Sequence, residues 1–137
     1  MTQTNVTTQV LYPAMRYRDA HAAIDWLERA FGFERQAVYD GPDNTVAHAQ
    51  LLFNGGLIML GSSRPNHDDY PVRTPEEVGG LSGSVYAYAA DPDALCARAK
   101  AAGARIAREL ADTEYGSREV SVYDCDGHYW TFGTYRP

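Results

Sequence analysis

Apolar residues recur at helical spacing near the start of the chain, in residues 19–33. One face of this predicted helix carries the apolar side chains Ala20, Ala23, Ile24, Leu27, Ala30 and Phe31. Asp19 is suited to cap the first turn, and Gly32 is suited to end the helix. The segments 10–17, 33–40, 45–53 and 56–61 read as strands separated by turns. The first half therefore predicts the order strand, helix, strand, strand, strand.

The same order returns in the second half. Asp91 can cap a helix, Pro92 suits its first position and Gly103 its end. The apolar stripe of this helix consists of Leu95, Ala99 and Ala102. Segments 83–90, 104–110, 117–125 and 128–135 read as strands around it.

The two halves superpose at an offset of about 72 residues. Asp19 then meets Asp91, Gly55 meets Gly127, and Gly61 meets Gly133, while Gly32 and Gly103 differ by a one-residue slip. Self-similarity between whole supersecondary units indicates an internal repeat. We therefore predict one α+β domain of two tandem βαβββ modules, over residues 8–61 and 84–135. Curved mixed sheets should surround a cleft, and residues 62–83 form a linker that serves as a lid or dimer arm or is mobile.

Composition narrows the possible functions. The chain has 137 residues with a net charge of −6 and no basic run, which argues against nucleic acid or anionic membranes as partners. From its start and its apolar runs we expect neither a signal peptide nor a membrane span, and Cys96 and Cys125 lack metal-binding spacing, which favours free thiols in the cytoplasm. Ten tyrosines suit a ligand pocket or an interface, and equally ordinary strands.

Four segments carry a family resemblance. They are "RYRDAHAAIDWLERAFGF", "NGGLIML", "AGARIARELADTEYGSRE" and "DCDGHYWTFG". In this order they resemble the vicinal oxygen chelate superfamily, from about residue 10 to 135. That group includes glyoxalase I, extradiol dioxygenases, methylmalonyl-CoA epimerase, fosfomycin-resistance enzymes and bleomycin-resistance proteins. The resemblance implies a homodimer with paired modules.

Metal enzymes of this superfamily take His, Gln or Glu ligands from four equivalent positions in the first and last strands of the modules. In this chain the resemblance assigns those positions to Tyr12 or Leu11, Met59, Ser84 and Thr131. None of these side chains is a competent ligand for a divalent catalytic metal. We therefore expect no metal or other cofactor, as in the bleomycin-resistance-type members that act by binding.

Alternation along strands predicts which side chains face the cleft. If Thr131 occupies a former ligand position, Tyr129 and Thr131 face the cleft, and His128, Trp130 and Phe132 point away as scaffold and core packed against Leu95 and Ala99. Ser84, Tyr86 and Tyr88 share one strand face and are expected in the cleft, unless the tyrosines cover a dimer seam.

Two strands give conflicting assignments. Apolar neighbours place His48 and Gln50 in the cleft, whereas the second module places Glu119, Ser121 and Tyr123 there, and the 72-residue repeat pairs His48 with Val120. A bulge or a two-sided strand would explain the conflict, which stays open at this point. Either Glu119 or His48 is a candidate general base.

The sequence favours a metal-free protein that binds a small apolar or aromatic molecule. Its predicted contacts are Tyr12, His48, Gln50, Met59, Ser84, Tyr86, Tyr88, Glu119, Ser121, Tyr129 and Thr131. One alternative is a metal-dependent lyase, isomerase or dioxygenase with displaced ligands, and another is a dimer without a pocket. The stretch "NHDDY", residues 66–70, is read as a solvated loop rather than a metal cluster.

Overall fold

The computed structural model describes residues 9–66 and 69–137. The first module contains β1 (Ala14–Tyr17), α1 (Ala20–Phe31), β2 (Glu34–Asp40), a 3₁₀ turn (Pro42–Asn44), β3 (Val46–Phe53) and β4 (Gly56–Ser62). A short helix α2 (Pro75–Val78) follows. The second module contains β5 (Val85–Tyr88), α3 (Pro92–Ala101), β6 (Arg105–Asp112), β7 (Arg118–Tyr123) and β8 (Tyr129–Gly133). The predicted α+β class and tandem βαβββ order are confirmed.

The two long helices begin at the predicted capping residues. Asp19 accepts a hydrogen bond from the backbone N–H of Ala22 at 3.1 Å, and Asp91 accepts one from that of Ala94 at 3.0 Å. Gly32 ends α1 with a φ of 80°, a left-handed conformation that costs glycine little. These side chains satisfy N–H groups that the first helical turn leaves without intrahelical partners.

The strands form two separate four-stranded sheets of the same topology. The order is β1-β4-β3-β2 in the first sheet and β5-β8-β7-β6 in the second. Within each sheet the first strand pairs in parallel with the last, and the remaining pairs are antiparallel. Ala14 lies opposite Met59, and Tyr86 lies opposite Thr131. The 72-residue repeat therefore holds for the first and last strands.

The repeat slips by one residue in the third strand of each module. Met59 pairs with Gln50, whereas Thr131 pairs with Ser121, so the offset there is 71 residues. The cause is the hairpin that follows. Two residues, Asn54 and Gly55, lie between the paired residues Phe53 and Gly56. In the second module three residues, 125–127, lie between the equivalent positions Asp124 and His128, which share a backbone hydrogen bond of 2.9 Å. The true partner of His48 is thus Glu119, which removes the conflict seen in the sequence.

The first strand begins later than its pattern predicts. Residues 10–13 lie outside β1, and Val10 and Leu11 are 77% and 83% exposed. The side-chain amide of Gln9 takes over the pairing with β4, because it donates to Leu57 O at 2.8 Å and accepts from Leu57 N at 2.7 Å. This side chain supplies the two hydrogen bonds that a longer β1 would have made through its backbone.

One hydrophobic core joins the two sheets and the buried faces of the helices. α1 packs on α3, and the Arg98 guanidinium of α3 donates to the carbonyl oxygens of Arg29 and Glu28 at 2.9 and 3.0 Å. Trp130 and Phe132 are buried, as predicted, and their rings contact Phe31 of the other module at 5.7 and 4.8 Å. Since both sheets direct one face into this shared core, their opposite faces stay open.

The segment between the modules is anchored at its C-terminal part. Thr74, 2% exposed, caps α2 in a reciprocal arrangement with Glu77, and Glu77 also accepts a hydrogen bond from Ser63 at 2.6 Å. These hydrogen bonds, led by the one from Ser63, lower the pKa of Glu77. Within the predicted loop at 66–70, residues 67 and 68 lie outside the described residues. No helix in the described part of the chain is long and apolar enough to cross a membrane.

Candidate functional site

The open face of the second sheet carries most of the tyrosines. Tyr86 and Tyr88 project from β5, whose alternate residues Val85 and Ala87 pack on the core. The other tyrosines at this face belong to β7, β8 and the adjoining segments. We call the set the tyrosine face, and it consists of Tyr86, Tyr88, Tyr115, Tyr123, Tyr129 and Tyr135. Six of the ten tyrosines in the chain thus lie on one side of one sheet.

Ring contacts join five residues of the tyrosine face in two groups. Tyr123 and Tyr129 are neighbours on β7 and β8, with ring centroids 5.5 Å apart in an edge-to-face arrangement. Tyr135 contacts both Tyr86 at 6.4 Å and Tyr115 at 6.2 Å. These centroid spacings lie within the range that favours aromatic pairs.

Two guanidinium groups lie over rings of the tyrosine face. The Arg105 guanidinium carbon is 3.7 Å from the centroid of the Tyr123 ring, and that of Arg136 is 4.5 Å from the Tyr88 ring. Such cation–π contacts contribute about 0.5–1 kcal/mol each at exposed sites. The sequence reading did not identify these arginines, because neither is part of a recognisable motif.

Polar groups lie in the middle of this face. Ser121 and Thr131, on neighbouring strands, share a hydrogen bond of 2.8 Å between their hydroxyl oxygens. Glu119 accepts a hydrogen bond from the Tyr115 hydroxyl at 2.8 Å, which raises the pKa of Tyr115. A Cβ at Gly133 would lie 2.6 Å from Glu119 Cγ, so glycine leaves room for that carboxylate. The tyrosine face therefore combines aromatic rings with the hydroxyl groups of Ser121 and Thr131 and the carboxylate of Glu119.

An apolar cavity opens at the free edge of β5. Its volume is about 240 Å³, and its aromatic wall consists of Phe33, Phe53 and Trp130. Tyr88 and Arg136 line the same cavity, which therefore adjoins the tyrosine face. The cavity is large enough for a fused-ring compound, since a 150 Å³ apolar cavity accepts benzene.

The open face of the first sheet is more polar. His48 Nε2 lies 3.0 Å from Gln50 Oε1, and Gln50 Nε2 donates to Gln36 at 2.7 Å. Met59 lies beside Gln50 on the next strand. Tyr12 lies before β1, is 43% exposed, and donates its hydroxyl to Gln9 O at 2.7 Å.

The predicted contacts thus fall into two groups within one chain. Tyr12, His48, Gln50 and Met59 lie in the first module, and the other seven, from Ser84 to Thr131, lie in the second. Ser84 is exposed and immediately precedes β5. The shared core separates the two open faces, so a single chain does not bring the two groups together.

The side chains at the four superfamily metal positions do not fit a metal. Tyr12, Met59, Ser84 and Thr131 offer no imidazole and no carboxylate, whereas catalytic sites for divalent metals are built from those groups. Across residues 9–66 and 69–137, no group of three or more His, Cys, Asp or Glu side chains could hold a metal ion. We therefore derive no chemical step through a metal.

His128 belongs to the scaffold. Its Nε2 lies 2.8 Å from Arg16 O, and since a carbonyl oxygen only accepts, this nitrogen carries the proton. The ring also meets Tyr17 edge-on, with centroids 4.8 Å apart. The histidine therefore joins the last hairpin to the first strand and takes no part in either open face.

Asp124 is the buried centre of this junction, and the sequence reading did not find it. The carboxylate accepts from Tyr17 Oη at 2.6 Å, from Trp130 Nε1 at 2.9 Å, and from the backbone N–H groups of Asp126 and His128, both at 3.0 Å. Burial raises the pKa of Asp124, while His128 and the donors around the carboxyl oppose that shift. Four donors for one carboxyl group indicate a structural role.

Comparison with known proteins agrees with the geometry. The family model for the Glyoxalase/Bleomycin resistance protein/Dioxygenase superfamily matches residues 9–132. The chain belongs to this superfamily. Within it, an uncharacterized protein of Mycobacterium bovis is 34% identical over 123 residues, covering 90% of the chain and 81% of that protein. An uncharacterized protein of Mycobacterium tuberculosis shares the same identity, with 72% of its length covered.

Solved structures of the superfamily share the fold. TioX from Micromonospora sp. ML1 is 30% identical, with a TM-score of 0.71 and coverage of 91% of this chain and 94% of that one. A glyoxalase I mutant from Zea mays has a TM-score of 0.71 at 20% identity, covering 94% of this chain and 46% of that one. The Listeria monocytogenes fosfomycin resistance protein FosX, complexed with Mn(II), has a TM-score of 0.65 at 15% identity, with 96% and 95% covered. The last two likenesses show the fold alone.

Proposed function

We propose that this superfamily member binds a small apolar or aromatic molecule without using a metal ion. The observation that carries the proposal is the tyrosine face, where six aromatic rings and the hydroxyl pair of Ser121 and Thr131 share one open side of the sheet. Thr131 stands at a position that the resemblance assigns to a metal ligand. Aromatic rings supply contact area and stacking, while a few polar groups fix orientation. Thr131, Ser121 and Glu119 are positioned to supply the polar contacts.

A metal-dependent lyase, isomerase or dioxygenase with displaced ligands is the competing function. It requires at least three imidazole, thiolate or carboxylate donors that converge on one point. The described residues bring no such set together. Glu119 and His48, the two candidate bases, lie on open faces of different sheets in one chain, so neither supports the other there.

We also propose that two chains form a homodimer that completes the site. Each sheet leaves one face open and its first strand without a partner on one side, and such edges favour pairing with another chain. A second copy can place the face with His48 and Met59 opposite the tyrosine face. Sedimentation equilibrium should give a mass near twice the 15.1 kDa of one chain. A mass of one chain at micromolar concentration would contradict the dimer.

We propose a cytoplasmic location, in which the free thiols of Cys96 and Cys125 would stay reduced.

Thermal unfolding in the presence of probe compounds tests the binding proposal. A library of aromatic, fused-ring and aliphatic compounds should be screened against chelator-treated protein. A compound at 100 times its dissociation constant should add about 2.7 kcal/mol to the free energy of unfolding. We expect aromatic compounds to raise the unfolding temperature and aliphatic compounds of equal size to leave it unchanged. If no compound in the library stabilises the protein, the alternative of a dimer without a ligand pocket would be favoured.

A further inference from the structure

A row of four residues crosses the open face of the first sheet. Arg16 on β1 lies opposite Gly61 on β4, and Tyr39 on β2 lies opposite His48 on β3. The paired residues of β3 and β4 end at Ala49 opposite Leu60, and the next residues along, His48 and Gly61, line one cavity. Gly61 therefore lies between two nitrogen-bearing side chains, Arg16 on one side and His48 on the other.

A cavity of about 220 Å³ occupies the gap that the glycine leaves. Its wall includes Arg16, Ala47, His48, Met59, Gly61 and Tyr70. Among the described residues that line it there is no carboxylate, although the chain as a whole has a net charge of −6. The described wall of the cavity therefore carries the positive charge of the Arg16 guanidinium.

Gly61 is needed to keep the cavity open. A Cβ at this position would lie 2.6 Å from Arg16 Nη1 and 3.0 Å from the carbonyl oxygen of Ala47. The first contact would push the guanidinium away, and the second cannot relax easily because it involves backbone. Absence of a side chain at Gly61 therefore lets the guanidinium lie across β4.

Arg16 is fixed in place yet has no anionic partner within the described part of the chain. Its Nη1 donates to Ser62 O at 3.1 Å, and its guanidinium carbon lies 4.3 Å from the centroid of the Tyr70 ring. By contrast, Arg35 binds Asp25 and Glu28, and Arg118 binds Asp93 and Asp112. A half-buried guanidinium held by a carbonyl and a ring keeps N–H donors available for an incoming anion.

We propose that this cavity binds an oxyanion group, such as a carboxylate, on the ligand. The inference rests on the proposed function, including the dimer that places the face with His48 and Met59 opposite the tyrosine face, and narrows its ligand class to aromatic acids. The planar guanidinium matches a carboxylate in geometry and stays charged at any physiological pH. Met59 and Tyr70 provide apolar contact for the part of the ligand next to its charge.

The test compares 2-naphthoate with 2-naphthamide, which has the same ring system and no charge. Calorimetric titration of the wild-type protein should show 2-naphthoate binding about 10- to 100-fold more tightly, the factor expected for a charge-assisted hydrogen bond. Arg16→Met keeps most of the side-chain stem and removes the charge. It should abolish the preference by weakening 2-naphthoate alone. Arg29→Met, an exposed change on α1 with equal loss of charge, should keep the preference.

A second variant separates the position of the charge from its presence. Gly61→Ala retains Arg16 but displaces its guanidinium, so it should also remove the preference for 2-naphthoate. Thermal unfolding must show that each variant is folded. Equal binding of both compounds to the wild type, or a preference that survives Arg16→Met, would overturn the oxyanion site and leave aromatic binding intact. Failure of both compounds to bind would count against both proposals.

Discussion

Replacing Asp124 by Ala is expected to lower the free energy of unfolding by about 3–5 kcal/mol, because several buried donors lose their acceptor at about 1–3 kcal/mol each. The carboxylate is 6% exposed and accepts from Tyr17, Trp130 and two backbone N–H groups. For a chain of this length the melting temperature should fall by about 10–20 °C. Urea unfolding followed by circular dichroism measures the loss.

The matched control is Asp112→Ala. Asp112 is exposed and bound to Arg118, and exposed ion pairs contribute about 0–1 kcal/mol. Asp124→Asn keeps one acceptor oxygen and should fall between the wild type and Asp124→Ala. Equal losses for Asp124→Ala and Asp112→Ala would contradict a structural role for the buried carboxyl group.

The cost of Asp124→Ala should also depend on pH. Burial raises the pKa of this carboxyl group above its value in the unfolded chain. A group with a raised folded-state pKa contributes its full stability below the unfolded pKa and loses part of it as the pH rises through the folded pKa. The difference in stability between the wild type and Asp124→Ala should therefore be largest near pH 3–4 and shrink at higher pH. A difference that grows with pH would show that the ionised form is the more stable one in the fold.

Removing a ring from the tyrosine face is expected to weaken binding of an aromatic probe by about 10- to 100-fold. Tyr88→Ala and Tyr129→Ala are the informative variants, because one lies on β5 beside the apolar cavity and the other on β8 beside Thr131. Both side chains are half-buried and outside the core, so the fold should survive. Calorimetric titration with 2-naphthamide measures the effect without involving the oxyanion site.

Matched controls isolate the contribution of the rings. Tyr88→Phe and Tyr129→Phe keep the stacking surface and should change affinity by less than about threefold. Leu81→Ala removes an exposed apolar side chain from the segment between the modules and should leave affinity unchanged. Wild-type affinity in both alanine variants would place the ligand elsewhere.

The sequence was sufficient to predict the modules because each one is specified locally. Each module has a helix cap (Asp19 or Asp91), an apolar helix stripe and alternating strands, and these signals all predict the same structure. The second module shows the same pattern as the first. The open side of β5 followed from alternation alone, since small residues on its other side suit close packing. Such helices and strands are predictable from neighbouring residues alone, without information on contacts between distant parts of the chain.

Features that depend on hairpin length or long-range contacts escaped prediction. A one-residue difference between the turns after β3 and β7 shifted the repeat, so His48 was paired with Val120 instead of Glu119. Asp124 escaped because aspartate is rarely buried and its donors lie as far as 107 residues away. Arg16 was predictable from the sequence, because strand alternation places it on the same face of β1 as Ala14, whose partner is the predicted contact Met59.

The most direct test of metal-free binding is one affinity measured on two samples of the same protein. One sample is purified without chelator and the other is treated with chelator, and the metal content of both is determined by elemental analysis. We predict equal affinity for 2-naphthamide in both samples and far less than one metal ion per chain in the first. Stoichiometric zinc, nickel, manganese or iron in the untreated sample, with binding lost on chelation, would contradict the proposed function.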